Sequence, residues 1–319
     1  MLTELFELYP KYEQVLAQIQ LVLFMLGMGV TLSLSDFAPV FRQPAALLYG
    51  LTVELVVTPF LALLVGWVAG LETGLAFGLL LIAALPGGTL SNAFTYLSRS
   101  NVALSIALSA TATLIAIATI PLVLRFLSNF LVTGDDVAVG SQFEMPVLGI
   151  VREISFFLLL PLGIGMWLAR IAPDFRQRIS LVCLILGFVF VGIMVVGAIG
   201  ASRIEVGEHG WRAPIAILAF CILTQQCAML PIRFSGWPTR DWVAVGIEAT
   251  IRNVYLGILL ATLLFPASES SIGKQVMFVV LFYGPASIGA ALPLTLRIRR
   301  WHGKEQSAAK LPAATPAEI

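Results

Sequence analysis

Long apolar segments recur along the whole of this 319-residue chain, and they decide the solvent in which it folds. Each segment holds about the 20 residues that a helix needs to cross the hydrocarbon core of a bilayer. Only 12% of the residues are charged, whereas a soluble domain has about 25%. The sequence therefore predicts an all-α polytopic membrane protein with nine transmembrane helices. The predicted spans are 15–34, 44–69, 73–98, 102–128, 146–170, 178–200, 212–232, 241–265 and 274–298.

The polar segments between the spans are too short for a second domain, so residues 1–319 are expected to form a single membrane domain. The polar, proline-bearing tail 299–319 is predicted to be disordered. Twelve Lys and Arg residues fall on the side of the C-terminus and six on the other side, which places the C-terminus in the cytoplasm and the N-terminus outside. We expect a monomer in the cell (inner) membrane, and a net charge of +1 gives no reason to expect a nucleic-acid partner.

The third span contains "LPGGTLSNAFTYL", in which Pro86, Gly87 and Gly88 should break the helix inside the membrane. Broken backbone at that depth is tolerated only where it is buried in protein or lines a cavity. The sequence thus predicts one discontinuous helix at a polar centre.

The eighth span lacks such a breaker but carries a similar motif, because Thr89–Asn92 and Thr250–Asn253 both read T-x-[S/R]-N. The span before each motif has an acidic or amide residue five positions before a proline: Glu54 and Pro59, Gln226 and Pro231. We interpret 15–128 (four spans) and 146–298 (five spans) as two repeats of inverted topology, with discontinuous helices that cross. This pattern is typical of secondary transporters, whose binding site lies near the midplane. A bundle with one kinked span is the alternative, since short motifs arise by chance.

An acidic residue, Glu248, lies inside the eighth span, where a charge is costly and therefore indicates a function. In the fourth span Ser105 and Ser109 are spaced i, i+4, so their hydroxyls share one helix face. Packing of small residues is the alternative for the two serines alone. Together with the broken segment they predict an all-oxygen site for a hard cation such as Na⁺. Its predicted ligands are Ser91, Asn92, Ser105, Ser109 and Glu248.

If the broken helices cross, Asn92 and Asn253 should face each other. Helix N-termini at such a crossing suit an anionic substrate. The predicted substrate residues are Gly88, Thr89, Asn92, Thr250 and Asn253.

The segments "PGGTLSNAFTYLSRSNVALSIALSATATL" and "IEATIRN" resemble the bile acid:sodium symporter family. The resemblance implies panel and core domains, two crossing discontinuous helices in the core, and a first repeat that lacks its first helix. It also implies one sodium site at the oxygen set above, with the substrate at the crossing. The last span here reads "LFYGPASIG" without the family's Asn, and a break at Gly284–Pro285 is expected to help line a different cavity with Tyr283 and Ser287.

The second sodium site of the family uses glutamines at the positions matching Glu54 and Arg252, and both residues are charged here. Our hypothesis is a buried Glu54–Arg252 ion pair in which the guanidinium replaces the second sodium. In the alternative, Arg252 reaches a water-filled cavity and pairs with Glu248 one helical turn away, while Glu54 is protonated.

These observations predict sodium-coupled symport of a small organic anion, a carboxylate, with one sodium site. The alternative is a proton- or cation-coupled antiporter or uniporter on the same inverted-repeat fold, and a non-transporting sensor is a third class. No enzyme is expected, because His209 and His302 lie outside the spans and no nucleophile–base pair occurs.

Overall fold

The computed structural model describes residues 2–33, 44–130, 146–201, 210–234, 236–265 and 271–308, and this part of the chain is helical without any β-strand. Seven of its helical segments are long and apolar enough to cross a membrane. The helices are α1 (Leu2–Thr31), α2 (Pro44–Val68), α3 (Thr73–Ala84), α4 (Thr89–Leu97), α5 (Val102–Leu127), α6 (Val147–Ile171), α7 (Arg176–Gly200), α8 (Arg212–Arg233), α9 (Thr239–Thr250), α10 (Val254–Leu264) and α11 (Ser271–Ala308). The all-α polytopic class is confirmed.

Two of the nine predicted spans are each divided into two helices. The segment predicted at 73–98 consists of α3 and α4, and the segment predicted at 241–265 consists of α9 and α10. The total of nine spans depends on how these four short helices sit in the bilayer, so it stays a prediction.

The last helix, α11, differs from the prediction in two ways. It runs unbroken through Gly284–Pro285, so the predicted break there is wrong. It also continues to Ala308, which corrects the predicted disorder for residues 299–308. These ten residues include the strong helix formers Arg, Lys, Glu, Gln and Ala, and the next proline is Pro312. Residues 309–319 lie outside the described residues.

Two helices contain a π-helical turn just before a proline. In α2 the turn covers Val53–Val57, ahead of Pro59, and in α6 it covers Ile154–Leu159, ahead of Pro161. Proline has no N–H to donate, so the regular hydrogen-bond ladder is interrupted and one turn widens. The turn in α2 is the one that carries Glu54.

The helices pack in two groups. In the first group α1 lies against α6 and α7, and α1 and α6 approach so closely that a Cβ at either Gly29 or Gly165 would collide with the other backbone. In the second group α3 packs on α2 and α11, α8 packs on α9 and α11, and α9 packs on α4 and α5. The groups meet where α1 contacts α10, and there the Phe24 and Tyr255 rings stack with centroids 3.7 Å apart.

Candidate functional site

The two helix breaks pair with each other through their backbones. The Gly88 N–H donates to the Ile251 carbonyl oxygen at 2.9 Å, and the Asn253 N–H donates to the Pro86 carbonyl oxygen at 2.9 Å. Gly87 and Arg252 therefore face each other in an isolated antiparallel bridge. Each break satisfies backbone groups that the other leaves free, as non-helical backbone at membrane depth requires.

The crossing leaves no room for side chains on the first break. A Cβ at Gly87 would collide with the Glu248 carboxylate, and a Cβ at Gly88 would lie 2.8 Å from the Arg252 carbonyl oxygen. The glycines are thus needed for the close approach of the two segments as well as for ending α3.

The second break contains neither proline nor glycine, and contacts from elsewhere fix its ends. The Asn253 side chain caps α10 by accepting from the Leu256 N–H at 3.1 Å. The Tyr283 hydroxyl of α11 donates to the Thr250 carbonyl oxygen, at the end of α9, at 2.6 Å. An asparagine before an apolar run is an N-cap signal that the sequence does carry, whereas nothing in the sequence identifies Tyr283 as the partner of Thr250.

The two T-x-[S/R]-N motifs do not occupy equivalent places. Thr89 begins the helix after the first break, whereas Thr250 ends the helix before the second. The matching helices are instead α3 and α9, each of 12 residues and each ending at a break. The Asn92 amide oxygen accepts from Ser105 and the Asn253 oxygen caps α10, so the predicted facing of the two asparagines stays a prediction.

Glu248 is the centre of a buried oxygen cluster. Its Oε2 accepts from the Ser105 hydroxyl at 2.7 Å, and its Oε1 accepts from the Ser109 hydroxyl. The Ser105 oxygen also lies 2.8 Å from the Asn92 amide oxygen. The Ser91 hydroxyl lies near the same carboxylate and donates its proton to the Gly88 carbonyl oxygen at 2.6 Å. The structure thus brings all five predicted sodium ligands together.

One hydroxyl of this cluster has more acceptors beside it than protons to donate. Ser105 has one hydroxyl proton but lies beside two acceptors, Glu248 and Asn92. The Glu248 side chain is fully buried, with 0% exposure. A buried carboxylate is stabilised by a cation, and hydroxyl, amide and carboxylate oxygens are hard ligands. The described residues hold no group of three His, Cys, Asp or Glu side chains suited to a metal ion.

Arg252 lies on the other side of the crossing, in a cage of oxygen atoms. Its Nη1 is 3.6 Å from Glu54 Oε2 and donates to the Leu85 carbonyl oxygen at 3.1 Å. Its Nη2 donates to the Thr58 hydroxyl at 2.6 Å. The alternative pairing with Glu248 is not what the structure contains. The spacing argument for it fails because α9 ends at Thr250, before Arg252.

The predicted substrate residues are divided by the structure. Asn92 is partly exposed, whereas Asn253 is buried. The Thr250 hydroxyl is used within its own helix, where it donates to the Gly246 carbonyl oxygen at 2.7 Å. Gly88 is engaged in the backbone pairing, and Thr89 begins α4. In the last span, Tyr283 is fully buried and Ser287 donates to the Gly284 carbonyl oxygen within α11. The cavity predicted beside them stays a prediction.

In the described part of the chain, seven helices are long and apolar enough to cross a membrane, and two broken helices enclose an ionisable centre. These features are those of a polytopic membrane protein with a polar site inside it. Residues 18–208 match the model of the Sodium Bile acid symporter family, and the chain belongs to this family. The matched residues include the first break and α5, whereas Glu248 and Arg252 lie beyond them.

Related proteins cover more of the chain. It is 30% identical over 271 residues to the probable sodium/metabolite cotransporter BASS1 of Arabidopsis thaliana chloroplasts, covering 82% of this chain and 64% of the relative. It is 28% identical to the sodium-dependent transporter YocS of Bacillus subtilis, over 75% of this chain and 71% of the relative. It is 25% identical to sodium/bile acid cotransporter 5 of Rattus norvegicus, over 79% and 56% respectively. The chain spans less than two thirds of the length of the chloroplastic relatives that it matches.

Proposed function

We propose that the chain is a secondary active transporter that couples the entry of sodium to the movement of a small organic anion. The observation that carries this proposal is the Glu248 cluster, in which one buried carboxylate accepts hydrogen bonds from Ser105 and Ser109 of another helix. A cation bound there would neutralise the carboxylate and use oxygens that already converge. The names of the relatives, sodium/metabolite and sodium/bile acid cotransporters, support the same coupling.

A single sodium ion is proposed for each transport cycle. Carboxylate, hydroxyl and helix-end carbonyl oxygens, the ligand types of a cation site, surround the Arg252 guanidinium at Glu54, Thr58 and Leu85. The Leu85 carbonyl follows α3 and lies at the negative end of its dipole. Because an arginine stays charged at all physiological pH values, the guanidinium would replace a second sodium permanently.

The proposed substrate is a small carboxylate that binds beside the crossing. Both α4 and α10 begin there, and helix N-termini favour negative charge. The residues proposed to contact it are Gly88, Thr89, Asn92, Thr250 and Asn253, of which the partly exposed Asn92 is the most accessible described side chain.

Alternating access is proposed to come from motion between the two packing groups. The group of α1, α6 and α7 would be the panel, and the helices around the crossing would be the core. The Glu248 cluster and the Arg252 guanidinium both lie within the core group. Both would therefore move with the core during the transport cycle. The inverted repeat is supported by the equal lengths of α3 and α9 and by their meeting at one crossing. The membrane orientation, with the N-terminus outside and the C-terminus in the cytoplasm, is part of this proposal.

The test is thermal stability of the purified protein titrated with NaCl or KCl. A ligand that binds only the folded state raises its apparent stability as the ligand concentration rises. We expect wild type to be stabilised by Na⁺ more than by K⁺, in a non-cooperative response that Glu248→Ala abolishes. The double variant Glu54→Gln with Arg252→Gln should gain a second, cooperative Na⁺ response. Equal effects of Na⁺ and K⁺ on wild type would overturn sodium coupling in favour of a proton-coupled or non-selective carrier.

A further inference from the structure

A hydrogen-bonded pair joins the starts of α5 and α9, two of the three helices that build the Glu248 cluster. Asn101 directly precedes α5, and Asp241 lies in the first turn of α9. The Asn101 side-chain amide donates to Asp241 Oδ1 at 2.7 Å, and the Asn101 backbone N–H donates to the Arg240 carbonyl oxygen at 3.1 Å. One residue thus holds the start of α9 through both its side chain and its backbone.

Further along both helices, Ser105 and Ser109 of α5 contact Glu248 of α9, so α5 and α9 run side by side in the same direction. Each residue of a helix rises about 1.5 Å, so Ser105 and Ser109 stand about 6 and 12 Å above Asn101. By the same rise, Glu248 stands about 10 Å above Asp241, which is between the heights of the two serines. This match lets one carboxylate accept from both hydroxyls.

The cluster depends on that register. Hydrogen bonds weaken steeply once the donor and acceptor separate beyond their normal distance, so a slide of α9 by about 1 Å would weaken the contact with at least one serine. Asp241 is buried, with 8% exposure, and its partner across the helix interface is Asn101. A carboxylate this buried is held in place by the donor that satisfies it.

We propose that Asn101 and Asp241 are a positioning pair that sets the register of α5 against α9 and thereby the sodium affinity of the Glu248 cluster. The proposal rests on the proposed function, because it assumes that the cluster binds sodium. It adds two residues, outside the cluster itself, that control how well the ligands converge.

Asn101 has a second role, and the variants used in the test must preserve it. Its Oδ1 caps α5 by accepting from the Leu104 N–H at 3.1 Å. Aspartate and serine cap helices about as well as asparagine. Asn101→Asp therefore keeps the cap but sets two carboxylates against each other, and Asn101→Ser keeps a cap but is too short to reach Asp241. The exchanged pair, Asn101→Asp with Asp241→Asn, restores one amide and one carboxylate.

The experiment is the NaCl titration of thermal stability, with KCl as the reference, on wild type, Glu248→Ala, the two single changes at Asn101, and the exchanged pair. We expect Asn101→Asp and Asn101→Ser to raise the Na⁺ concentration for half-maximal stabilisation by about tenfold, the size of one lost hydrogen bond to a charged group. The exchanged pair should return to within about threefold of wild type, less than the effect of one such bond.

The outcomes separate the two proposals. Single changes that lower the melting temperature without moving the Na⁺ midpoint would overturn the positioning pair, since a purely structural role gives that result. An exchanged pair that stays as weak as Asn101→Asp would overturn it too. A wild type with no Na⁺-specific response would overturn both proposals, because no sodium site would then exist to be positioned. Loss of the response in Glu248→Ala with normal midpoints at Asn101 would leave the proposed function standing alone.

Discussion

Arg252 and Glu54 form an ion pair inside the membrane-spanning part of the fold, with Nη1 3.6 Å from Oε2 and side-chain exposures of 0% and 1%. Neither charged group is accessible to water, so each depends on the other for electrostatic stabilisation. The guanidinium also donates to the Thr58 hydroxyl and to the Leu85 carbonyl oxygen.

Removing either member of this pair should destabilise the protein strongly. Arg252→Gln and Glu54→Gln should each cost about 3–5 kcal/mol, because each leaves one buried charge without its partner. The double variant should lose less than the sum of the two, since both charges are then gone. Melting temperatures measured in potassium salts, without sodium, give this double-mutant cycle. Additive losses would show that the two side chains are not coupled.

The serine hydroxyls should set the sodium affinity of the Glu248 cluster. Ser109→Ala removes one donor to the carboxylate and one prospective sodium ligand, so we expect the half-maximal Na⁺ concentration to rise about tenfold. Ser155→Ala is the matched control, because that hydroxyl donates to the Val151 carbonyl oxygen within α6, in the other packing group. An equal shift in both variants would mean that the effect is not specific to the cluster.

Gly87 should tolerate no side chain. The methyl group of Gly87→Ala would collide with the Glu248 carboxylate, so we expect loss of the Na⁺ response together with a lower melting temperature. Gly289→Ala is the control within α11, because a Cβ there meets nothing within 4 Å. A Gly87→Ala variant with a normal Na⁺ titration would contradict the geometry of the crossing.

The Tyr283 hydroxyl should stabilise the end of α9. Tyr283→Phe leaves the buried Thr250 carbonyl oxygen without that donor, at a cost of about 1–3 kcal/mol. The melting temperature should fall by several degrees. Tyr96→Phe makes the same chemical change on a side chain that is 75% exposed, and it should have no effect. Equal melting temperatures for Tyr283→Phe and wild type would show that another group satisfies Thr250.

Local sequence signals predicted the parts of this fold that local physics controls. Apolar length located the long helices, Pro86–Gly88 located the first break, and the spacing of Ser105 and Ser109 placed both hydroxyls on the face that meets Glu248. The second break could not be located in the same way. It is held by a hydrogen bond that the Pro86 carbonyl oxygen accepts and by one that the Tyr283 hydroxyl donates, and both residues are distant in sequence.

The same limit explains why two pairings of Arg252 stayed open at the sequence level. Helical spacing allowed the alternative pairing with Glu248 one turn away, but the break after Thr250 turns Arg252 towards Glu54, as the favoured hypothesis had it. The Leu85 carbonyl could not be anticipated as a partner of the guanidinium, because a backbone acceptor leaves no mark in the side-chain pattern. The resemblance to a known family identified the Glu54–Arg252 pair, which periodicity alone would have missed.

A positive charge that is part of the polypeptide cannot be released on either side of the membrane. Under the proposed cycle it therefore takes up no energy from the sodium gradient, however long the transporter runs. A carrier that moves one sodium with one monovalent anion can concentrate its substrate only in proportion to the sodium ratio. For a carrier that moves two sodium ions, the sodium ratio enters as its square, together with the membrane potential. With Arg252 in the second cation site, the transporter would reach a lower substrate concentration ratio. In return, that site would stay occupied when the sodium concentration is low.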